Sequence, residues 1–147
     1  MKIFRSMTWL WALFVILAVS VTADEPKKKK AQLMSTGETP LEYIERKVKT
    51  HDVMVFARSY GKQNEQAKTL LRQISKETLT EVEFLDLDLM EGWDGSLLLL
   101  ALEEKTGQWA LPNIFIGGKH VGGNSEIDQM HAIGDLQEMV RKAGQDL

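Results

Sequence analysis

Three residues with charged or hydroxylated side chains, Arg58, Ser59 and Tyr60, stand where the chain is expected to change from strand to helix. The apolar run 53–56 before them predicts a buried strand, and the amphipathic pattern after Gly61 predicts a helix. A helix that starts at such a turn presents unpaired backbone N–H groups and partial positive charge. Anions and thiolates are stabilised there. The turn therefore has the features of a reactive site, yet it contains no cysteine to act as a nucleophile.

No other set of residues predicts a catalytic or metal site. The histidines, His51, His120 and His131, are far apart in sequence and lack a carboxylate or second histidine at the spacing of metal ligands. We interpret them as structural. The chain contains no cysteine, which excludes thiol redox chemistry, thiolate zinc sites and cysteine-held iron–sulfur clusters.

Charge is distributed unevenly along the chain. The formal net charge is −3 at pH 7, and 44% of the residues are hydrophobic, which is typical of a globular protein. Basic side chains outnumber acidic ones within residues 1–31, where Lys27–Lys30 lies, whereas the rest of the chain is acidic. An acidic globular part argues against a nucleic-acid partner.

Residues 1–23 have the pattern of a targeting segment. Lys2 and Arg5 precede the apolar run 9–19, and the small residues 21–23 follow it, as at a signal-peptide cleavage site. A membrane span needs about 20 apolar residues, so a cleaved signal peptide and an uncleaved anchor both remain open. Either one predicts the secretory pathway, and only the anchor would add a membrane partner.

The sequence predicts one globular domain over residues 39–147, which is long enough to bury a core. The preceding residues, 24–38, are lysine-rich and lack periodicity, so they are predicted to be a linker. Thr39, Pro40 and Glu42 predict the first helix, because they match an N-cap, a first helical residue and a capping box.

Hydrophobic periodicity predicts the element order αβαβαββαα in this domain. The alternation in 81–89 is typical of a strand with one wet face, and the leucine run 97–100 is expected in a buried helix. A two-residue Gly-Gly turn predicts a β-hairpin, and Ser125 with Asp128 is expected to cap a short helix. The strands are expected at 53–57, 81–89, 113–116 and 119–121, and the central helices at about 63–75 and from 94 or 96 to 107.

Three separated blocks resemble the glutaredoxin family of the thioredoxin fold. They are VMVFARSYGKQNEQAKTLL at 53–71, TGQWALPNIFIGGKHVGG at 106–123 and GGNSEIDQMHAIGDL at 122–136. Their order and spacing are similar to the family's active-site turn, its proline block with the Gly-Gly hairpin, and its glutathione-binding turn. The resemblance implies an α/β domain with a four-stranded mixed sheet flanked by helices. Together with the N-terminal hydrophobic segment, the blocks are most similar to secretory-pathway glutaredoxins of fungi.

The chain departs from the family pattern at the two positions of the active-site cysteines. Where the family has Cys-x-x-Cys or Cys-x-x-Ser, this chain has Gly61 at the place of the nucleophile and Asn64 at the resolving position. Thiol–disulfide exchange requires a thiolate, which neither residue can supply. The resemblance therefore implies a glutaredoxin frame without its nucleophile.

A glutathione site is implied by several matching positions. In the family a basic residue before the nucleophile binds the glycine carboxylate, the residue before a cis-proline pairs with the peptide backbone, and a helix N-terminus receives the γ-glutamyl carboxylate. Three changes predict weakened binding: Ser125 stands where the family often has aspartate, Trp109 where many members have arginine, and Leu99 where some have glutamine. The positions that carry this implied site are Arg58, Tyr60, Leu111, Pro112, Asn124 and Ser125.

Two functions remain open at this point. One is a non-catalytic glutaredoxin-like protein that binds glutathione or a protein partner through the old active-site groove. The other is a glutathione-dependent enzyme of another class, similar to the glutathione transferases, in which a hydroxyl of Ser59 or Tyr60 stabilises the glutathione thiolate. No metal cofactor is expected in either case.

Overall fold

The computed structural model describes residues 32–145, so the predicted targeting segment 1–23 and most of the predicted linker lie outside the described residues. Within that range the element order matches the predicted one, with a 3₁₀ turn added after the second strand. The elements are α1 Pro40–Thr50, β1 Val53–Ala57, α2 Lys62–Thr78, β2 Val82–Asp86, a 3₁₀ turn Leu87–Leu89, α3 Asp94–Thr106, β3 Asn113–Ile116, β4 Lys119–Gly122, α4 Asn124–Ala132 and α5 Asp135–Ala143.

The four strands form one mixed sheet in the order β2-β1-β3-β4. β1 is parallel to β2 and antiparallel to β3, and β4 pairs antiparallel with β3. Every residue of β1 is fully buried, because helices cover both faces of the sheet. The predicted four-stranded mixed sheet is therefore confirmed.

β1 separates two hydrophobic cores. Val53, Val55 and Ala57 point to the core that α2, α4 and α5 complete, whereas Met54 and Phe56 point to the core that α1 and α3 complete. This is the consequence of the two-residue period of a strand. Phe56 meets Phe115 of β3 edge-to-face, with the ring centroids 5.9 Å apart.

The first helix begins as its capping signal predicts. The Thr39 backbone N–H donates to Glu42 Oε2 at 2.9 Å, and the Glu42 N–H donates to Thr39 Oγ1 at 3.3 Å. Packing of the domain, however, starts before residue 39. Met34 is buried in the core under α1 and α3, and the Ser35 N–H donates to the buried Asp94 at 3.0 Å. The end of the predicted linker 24–38 is thus part of the folded domain.

The predicted strand 81–89 is too long. β2 ends at Asp86, whose partner in the register is Ala57, the last residue of β1, so Leu87 has no ladder partner. The chain turns into the 3₁₀ segment, where Leu87 is buried and Asp88 is exposed. Alternation of polar and apolar residues continues there, but the sheet does not.

Two predictions for the helices also need correction. The leucine run in α3 is only partly buried, because a 3.6-residue period turns one side of the helix to the core. Leu98 is fully buried, whereas Leu100 is 56% exposed. In α4 the cap is provided by Gly123 and Glu126, whose Oε2 accepts from the Gly123 N–H at 2.7 Å, and not by Ser125 with Asp128.

None of the helices within residues 32–145 has the length and apolar character needed to cross a bilayer.

Candidate functional site

The turn between β1 and α2 forms one wall of a small cavity. Arg58 and Tyr60 of this turn line it together with Leu111 and with residues from the 3₁₀ turn and from α3. The volume is about 220 Å³, less than the 300–1,000 Å³ that is typical of pockets enclosing a whole small molecule. The cavity is therefore a recess that accepts one part of a larger ligand. Its lining residues are Arg58, Tyr60, Leu87, Asp88, Gly95, Ser96, Leu99 and Leu111.

Asn64 holds both ends of the turn. Its side chain is buried inside the first turn of α2. The Oδ1 atom accepts from the Arg58 backbone N–H, and the Nδ2 atom donates to the Tyr60 carbonyl, each at 3.1 Å. These backbone groups belong to neither the sheet nor the helix, so they require such a partner. The residue at the resolving position therefore has a structural role in this chain.

Lys68 holds the same turn through its side-chain ammonium group. The Nζ atom donates to the Arg58 carbonyl at 2.8 Å and lies 2.6 Å from Asp86 Oδ1 at the end of β2. Its side chain is only 5% exposed, whereas that of Asp86 is 25% exposed. A buried ammonium group is stable only when paired and hydrogen-bonded, and both conditions are met. Lys68 thus joins the ends of β1 and β2 to α2.

Asp88 is the third side chain that holds the turn. One of its oxygens accepts from the Ser59 backbone N–H at 2.7 Å, and the other accepts from the Ser59 hydroxyl. The hydroxyl hydrogen bond is the main reason that the pKa of Asp88 is below its usual value. We call Asn64, Lys68 and Asp88 the turn clamp, because together they bind four backbone groups of Arg58, Ser59 and Tyr60.

Gly61 follows the clamped residues and precedes the first residue of α2. Its backbone has φ 95° and ψ 134°, a conformation that glycine adopts readily and residues with a Cβ avoid. A Cβ added there would lie 3.4 Å from Asn64 Nδ2. No side chain caps the α2 N-terminus. The first backbone N–H groups of this helix therefore lack a capping partner and can donate to a ligand.

Arg58 and Tyr60 form a pair on the cavity wall. Arg58 Nη1 donates to the Tyr60 hydroxyl oxygen at 3.2 Å, and the guanidinium carbon lies 5.8 Å from the ring centroid. Tyr60 is 58% exposed. The ring therefore supports the Arg58 side chain and leaves the hydroxyl proton available to a ligand.

The loop that carries Leu111 and Pro112 lies opposite this pair. The Leu111–Pro112 peptide bond is cis, as the resemblance implies. Gln108 Nε2 fixes the loop, because it donates to the Ala110 carbonyl at 2.8 Å and to the Pro112 carbonyl at 3.0 Å. Among residues 32–145, neither backbone polar group of Leu111 has a hydrogen-bond partner. They remain available for pairing with a peptide.

Asn124 and Ser125 do not line the cavity. They begin α4, which lies next to the proline loop. The closeness is seen at Gly123, the residue before α4, because the position that a Cβ would take there is 3.1 Å from the Pro112 carbonyl oxygen. Asn124 Nδ2 donates to Asp128 Oδ2 at 2.9 Å, and Ser125 is exposed. The structure therefore brings Arg58, Tyr60 and Leu111 together and places the α4 N-terminus beside them, beyond Pro112.

Sequence reasoning missed the roles of Lys68, Asp88 and Gln108. A signal for Lys68 was available, because it lies three residues before Leu71 and therefore on the buried stripe of α2. The alternation in 81–89 places Asp88 on the wet face of a predicted strand and gives no signal of its contact with Ser59. Gln108 gave no signal, since its bonds depend on the path of the loop.

The fold and the site define the class of this protein. A β2-β1-β3-β4 mixed sheet between two helical layers, with a site where β1 meets α2, is the thioredoxin-like fold in its glutaredoxin form. Two solved structures share it, each covering 71% of this chain with a TM-score of 0.65. The buckwheat glutaredoxin–glutathione complex is 30% identical in sequence to this chain, and the match covers 90% of the buckwheat chain. Wheat glutaredoxin is 32% identical in sequence, and the match covers 92% of its chain.

Curated relatives identify the family. A glutaredoxin of Vernicia fordii is 37% identical over 97 residues, which are 66% of this chain and 88% of the relative. A chloroplastic monothiol glutaredoxin of Arabidopsis thaliana is 34% identical over 117 residues, which are 80% of this chain and 63% of that relative. The chain therefore belongs to the glutaredoxin family. No family model matches it.

Within residues 32–145, no three or more histidine, aspartate or glutamate side chains are grouped so that they could hold a metal ion.

Acidification should release Ser59 from Asp88. The Ser59 hydrogen bonds lower the pKa of Asp88 in the folded protein, so they stabilise the fold above the unfolded pKa of about 3.9. This contribution is lost as the pH falls through the lower folded value. We expect an NMR titration to show the Asp88 carboxyl and the Ser59 amide changing together in that acidic range.

The control is the same titration in two variants. Asp88→Asn should remove the acidic transition of the Ser59 amide, whereas Asp135→Asn, which removes a carboxylate at the start of α5, should leave it unchanged. An acidic transition at Ser59 that survives in Asp88→Asn would contradict this assignment.

Asn64→Ala should destabilise the domain. The substitution leaves the Arg58 N–H and the Tyr60 carbonyl without their partner, which costs about 1–3 kcal/mol for a buried group. Urea unfolding measures the change, and Gln63→Ala on the exposed side of the same helical turn is the control. Equal midpoints for the two variants would show that Asn64 does not hold the turn.

Proposed function

We propose that this protein is a non-catalytic glutaredoxin of the secretory pathway that binds glutathione, or a protein partner, through its active-site groove. The observation that carries the proposal is the turn clamp. It holds Arg58 and Tyr60 on the wall of an open cavity, although the chain has no cysteine. The binding frame is kept while the reactive sulfur is missing.

Loss of catalysis follows from the chemistry of the turn. Thiol–disulfide exchange needs a thiolate that attacks a disulfide sulfur. Gly61 has no side chain, and the amide of Asn64 is used in two backbone hydrogen bonds. The site therefore has groups that bind and orient a ligand but none that forms a mixed disulfide.

Glutathione fits the groups that remain. The guanidinium of Arg58 suits one carboxylate, and the free backbone groups of Leu111 suit an extended peptide. The N-terminus of α4 beyond Pro112 suits a second carboxylate. A related buckwheat glutaredoxin has been solved as its glutathione complex, which supports this ligand. Weak binding is expected, because Ser125 and Trp109 supply no charge.

A transferase-like enzyme is the second candidate function, and one observation favours it. The Tyr60 hydroxyl accepts from Arg58 and keeps its own proton to donate to a glutathione thiolate. The Ser59 hydroxyl cannot do the same, since it donates to Asp88. The cavity of about 220 Å³ leaves little room for a second substrate, and for that reason we favour binding without turnover.

The proposed location rests on residues 1–23. Their charged start, apolar run and small residues are typical of a secretory signal. A signal anchor would give the same compartment and attach the domain to its membrane.

Arg58→Gln should weaken glutathione binding about tenfold to a hundredfold. The substitution removes one charge-assisted hydrogen bond, worth roughly 1.5–3 kcal/mol. Isothermal titration calorimetry with reduced glutathione measures the effect, and Lys119→Gln removes a positive charge from the exposed edge strand as the control. Absence of binding to the unsubstituted protein, or equal affinities for both variants, would reject a glutathione site at Arg58.

Gly61→Cys should introduce monothiol activity into a protein that has none. The new sulfur would stand at the uncapped N-terminus of α2, which lowers the pKa of a thiol below its usual value of about 8.5. The thiolate would take glutathione from a mixed disulfide, and a second glutathione would remove it. The strained backbone should cost about 1–3 kcal/mol of stability.

Gly107→Cys is the matched control for this substitution. Gly107 also has a positive φ, but it lies at the C-terminus of α3, where the helix dipole disfavours a thiolate. Hydroxyethyl-disulfide reduction should be detectable for Gly61→Cys and at background for Gly107→Cys and for the unsubstituted protein. A folded Gly61→Cys protein with an ordinary thiol pKa and no turnover would contradict the proposal.

A further inference from the structure

The short segment before α1 is attached to the domain at two adjacent residues. Met34 is only 4% exposed and packs in the core that α1 and α3 complete. Ser35 binds the carboxylate of Asp94, the first residue of α3. The Ser35 backbone N–H donates to Oδ1 at 3.0 Å, and the Ser35 hydroxyl donates to Oδ2. We call Met34 and Ser35 the latch, because together they hold this segment against α3.

A turn that is itself tied to α1 fixes the position of the latch. The Met34 N–H donates to the Glu38 carbonyl, and the Gly37 N–H donates back to the Met34 carbonyl, each at 2.9 Å. The Glu38 carboxylate in turn accepts two hydrogen bonds from the Arg46 guanidinium of α1, at 2.9 and 2.8 Å. The latch is therefore an ordered part of the domain that joins α1 to the start of α3.

The Asp94 carboxylate depends on the latch. Asp94 is only 6% exposed, and Ser35 is its only side-chain hydrogen-bond partner within residues 32–145. A buried carboxylate is stable only when it is hydrogen-bonded or paired. If the latch leaves, the first turn of α3 must move or open to bring this carboxylate into contact with water.

The first turns of α3 are also a wall of the cavity at the β1–α2 turn. Gly95, Ser96 and Leu99 line that cavity, and so does Leu87 of the 3₁₀ turn. The two walls meet backbone to backbone, since the position that a Cβ would take at Gly95 is only 1.9 Å from the Leu87 carbonyl oxygen. Any movement of the start of α3 therefore changes the shape of the cavity.

This wall contributes hydrogen-bond donors as well as shape. The backbone N–H groups of Gly95 and Ser96 belong to the first turn of α3, and neither has a hydrogen-bond partner within residues 32–145. Unpaired N–H groups at a helix start favour an anion. Arg58 lines the same cavity and carries a positive charge. The position of α3 therefore affects how well the cavity accepts a carboxylate.

From these contacts we infer that Asp94 is a positioning residue for the cavity and that the latch sets the affinity of the cavity for a carboxylate ligand. Ser35 holds Asp94, Asp94 holds the first turn of α3, and that turn holds Gly95 and Ser96 on the cavity wall. The inference rests on the proposed function, because it concerns the same site. It adds that residues before the first helix control this site, which a domain cut at the predicted boundary of residue 39 would lack.

Ser35→Asp in the full chain should release the latch, because it places a second carboxylate beside the buried Asp94. Amide hydrogen exchange, followed by NMR without any ligand, measures the effect on α3. The amides of residues 97–99 should exchange about tenfold faster. The amides of Glu104 and Lys105, at the other end of α3, should change less than about twofold. This comparison distinguishes a local release from a general loss of stability, which would affect both ends of the helix.

Two variants are the controls. Ser35→Thr keeps the hydroxyl that binds Asp94, and Thr36→Asp adds the same charge one residue later, where the side chain is exposed. Both should leave the exchange of residues 97–99 within about twofold of the unsubstituted protein. Calorimetry with reduced glutathione should show binding about threefold to tenfold weaker for Ser35→Asp, and nearly unchanged binding for the two controls.

Three results would overturn the inference. They are equal exchange in Ser35→Asp and Thr36→Asp, acceleration of equal size at both ends of α3, and faster exchange of residues 97–99 with unchanged glutathione affinity. If the unsubstituted protein does not bind glutathione, the glutathione part of the proposed function is rejected. The exchange rates, which need no ligand, then decide by themselves whether the latch positions the cavity wall.

Discussion

The site depends on how the chain leaves the central strand. After Ala57 the backbone of Arg58, Ser59 and Tyr60 pairs with neither a strand nor a helix, and buried backbone groups without partners are costly. The turn clamp removes this cost with three side chains from two elements. The parallel pairing of β1 with β2 places Asp86 opposite Ala57, and this register brings Asp88 beside Ser59 and lets Lys68 reach both strand ends. Sheet pairing, helix packing and the conformation of the turn are therefore one coupled arrangement.

This arrangement explains how a glutaredoxin frame persists without a thiol. None of the clamping contacts uses the side chain at position 61, since Asn64, Lys68 and Asp88 bind main-chain atoms or the Ser59 hydroxyl. Stability of the turn and reactivity of the turn are thus separable. The helix N-terminus and Arg58 attract an anion whether or not a sulfur is present, so binding and chemistry are separable too.

Patterns among neighbouring residues predicted most of the fold. The features that were not predicted depend on contacts between segments that are distant in sequence. The Thr39–Glu42 capping box and the Gly-Gly turn involve neighbouring residues, and both appear as predicted. The end of β2 depends on where β1 ends, and the exposure of Leu100 depends on which elements pack against α3. At the site, a resemblance indicated Arg58 and the cis bond before Pro112. The stripe of α2 indicates that Lys68 is buried, but its contact with the Arg58 carbonyl joins residues 10 apart through tertiary packing, and no local pattern specifies that contact.

The backbone angle at Gly61 limits which residues this position accepts. With φ at 95°, the position accepts glycine without strain and resists every residue that carries a Cβ. The amide of Asn64 lies 3.4 Å from the position that a Cβ would take, which is an ordinary contact distance, so the preference comes from the backbone angle. A cysteine introduced at Gly61 enters a backbone adapted to glycine, and the turn clamp holds the residues just before it in place. The geometry of the turn therefore suits the glycine that this chain has, and a thiol placed there would have to be accommodated by the main chain before it could react.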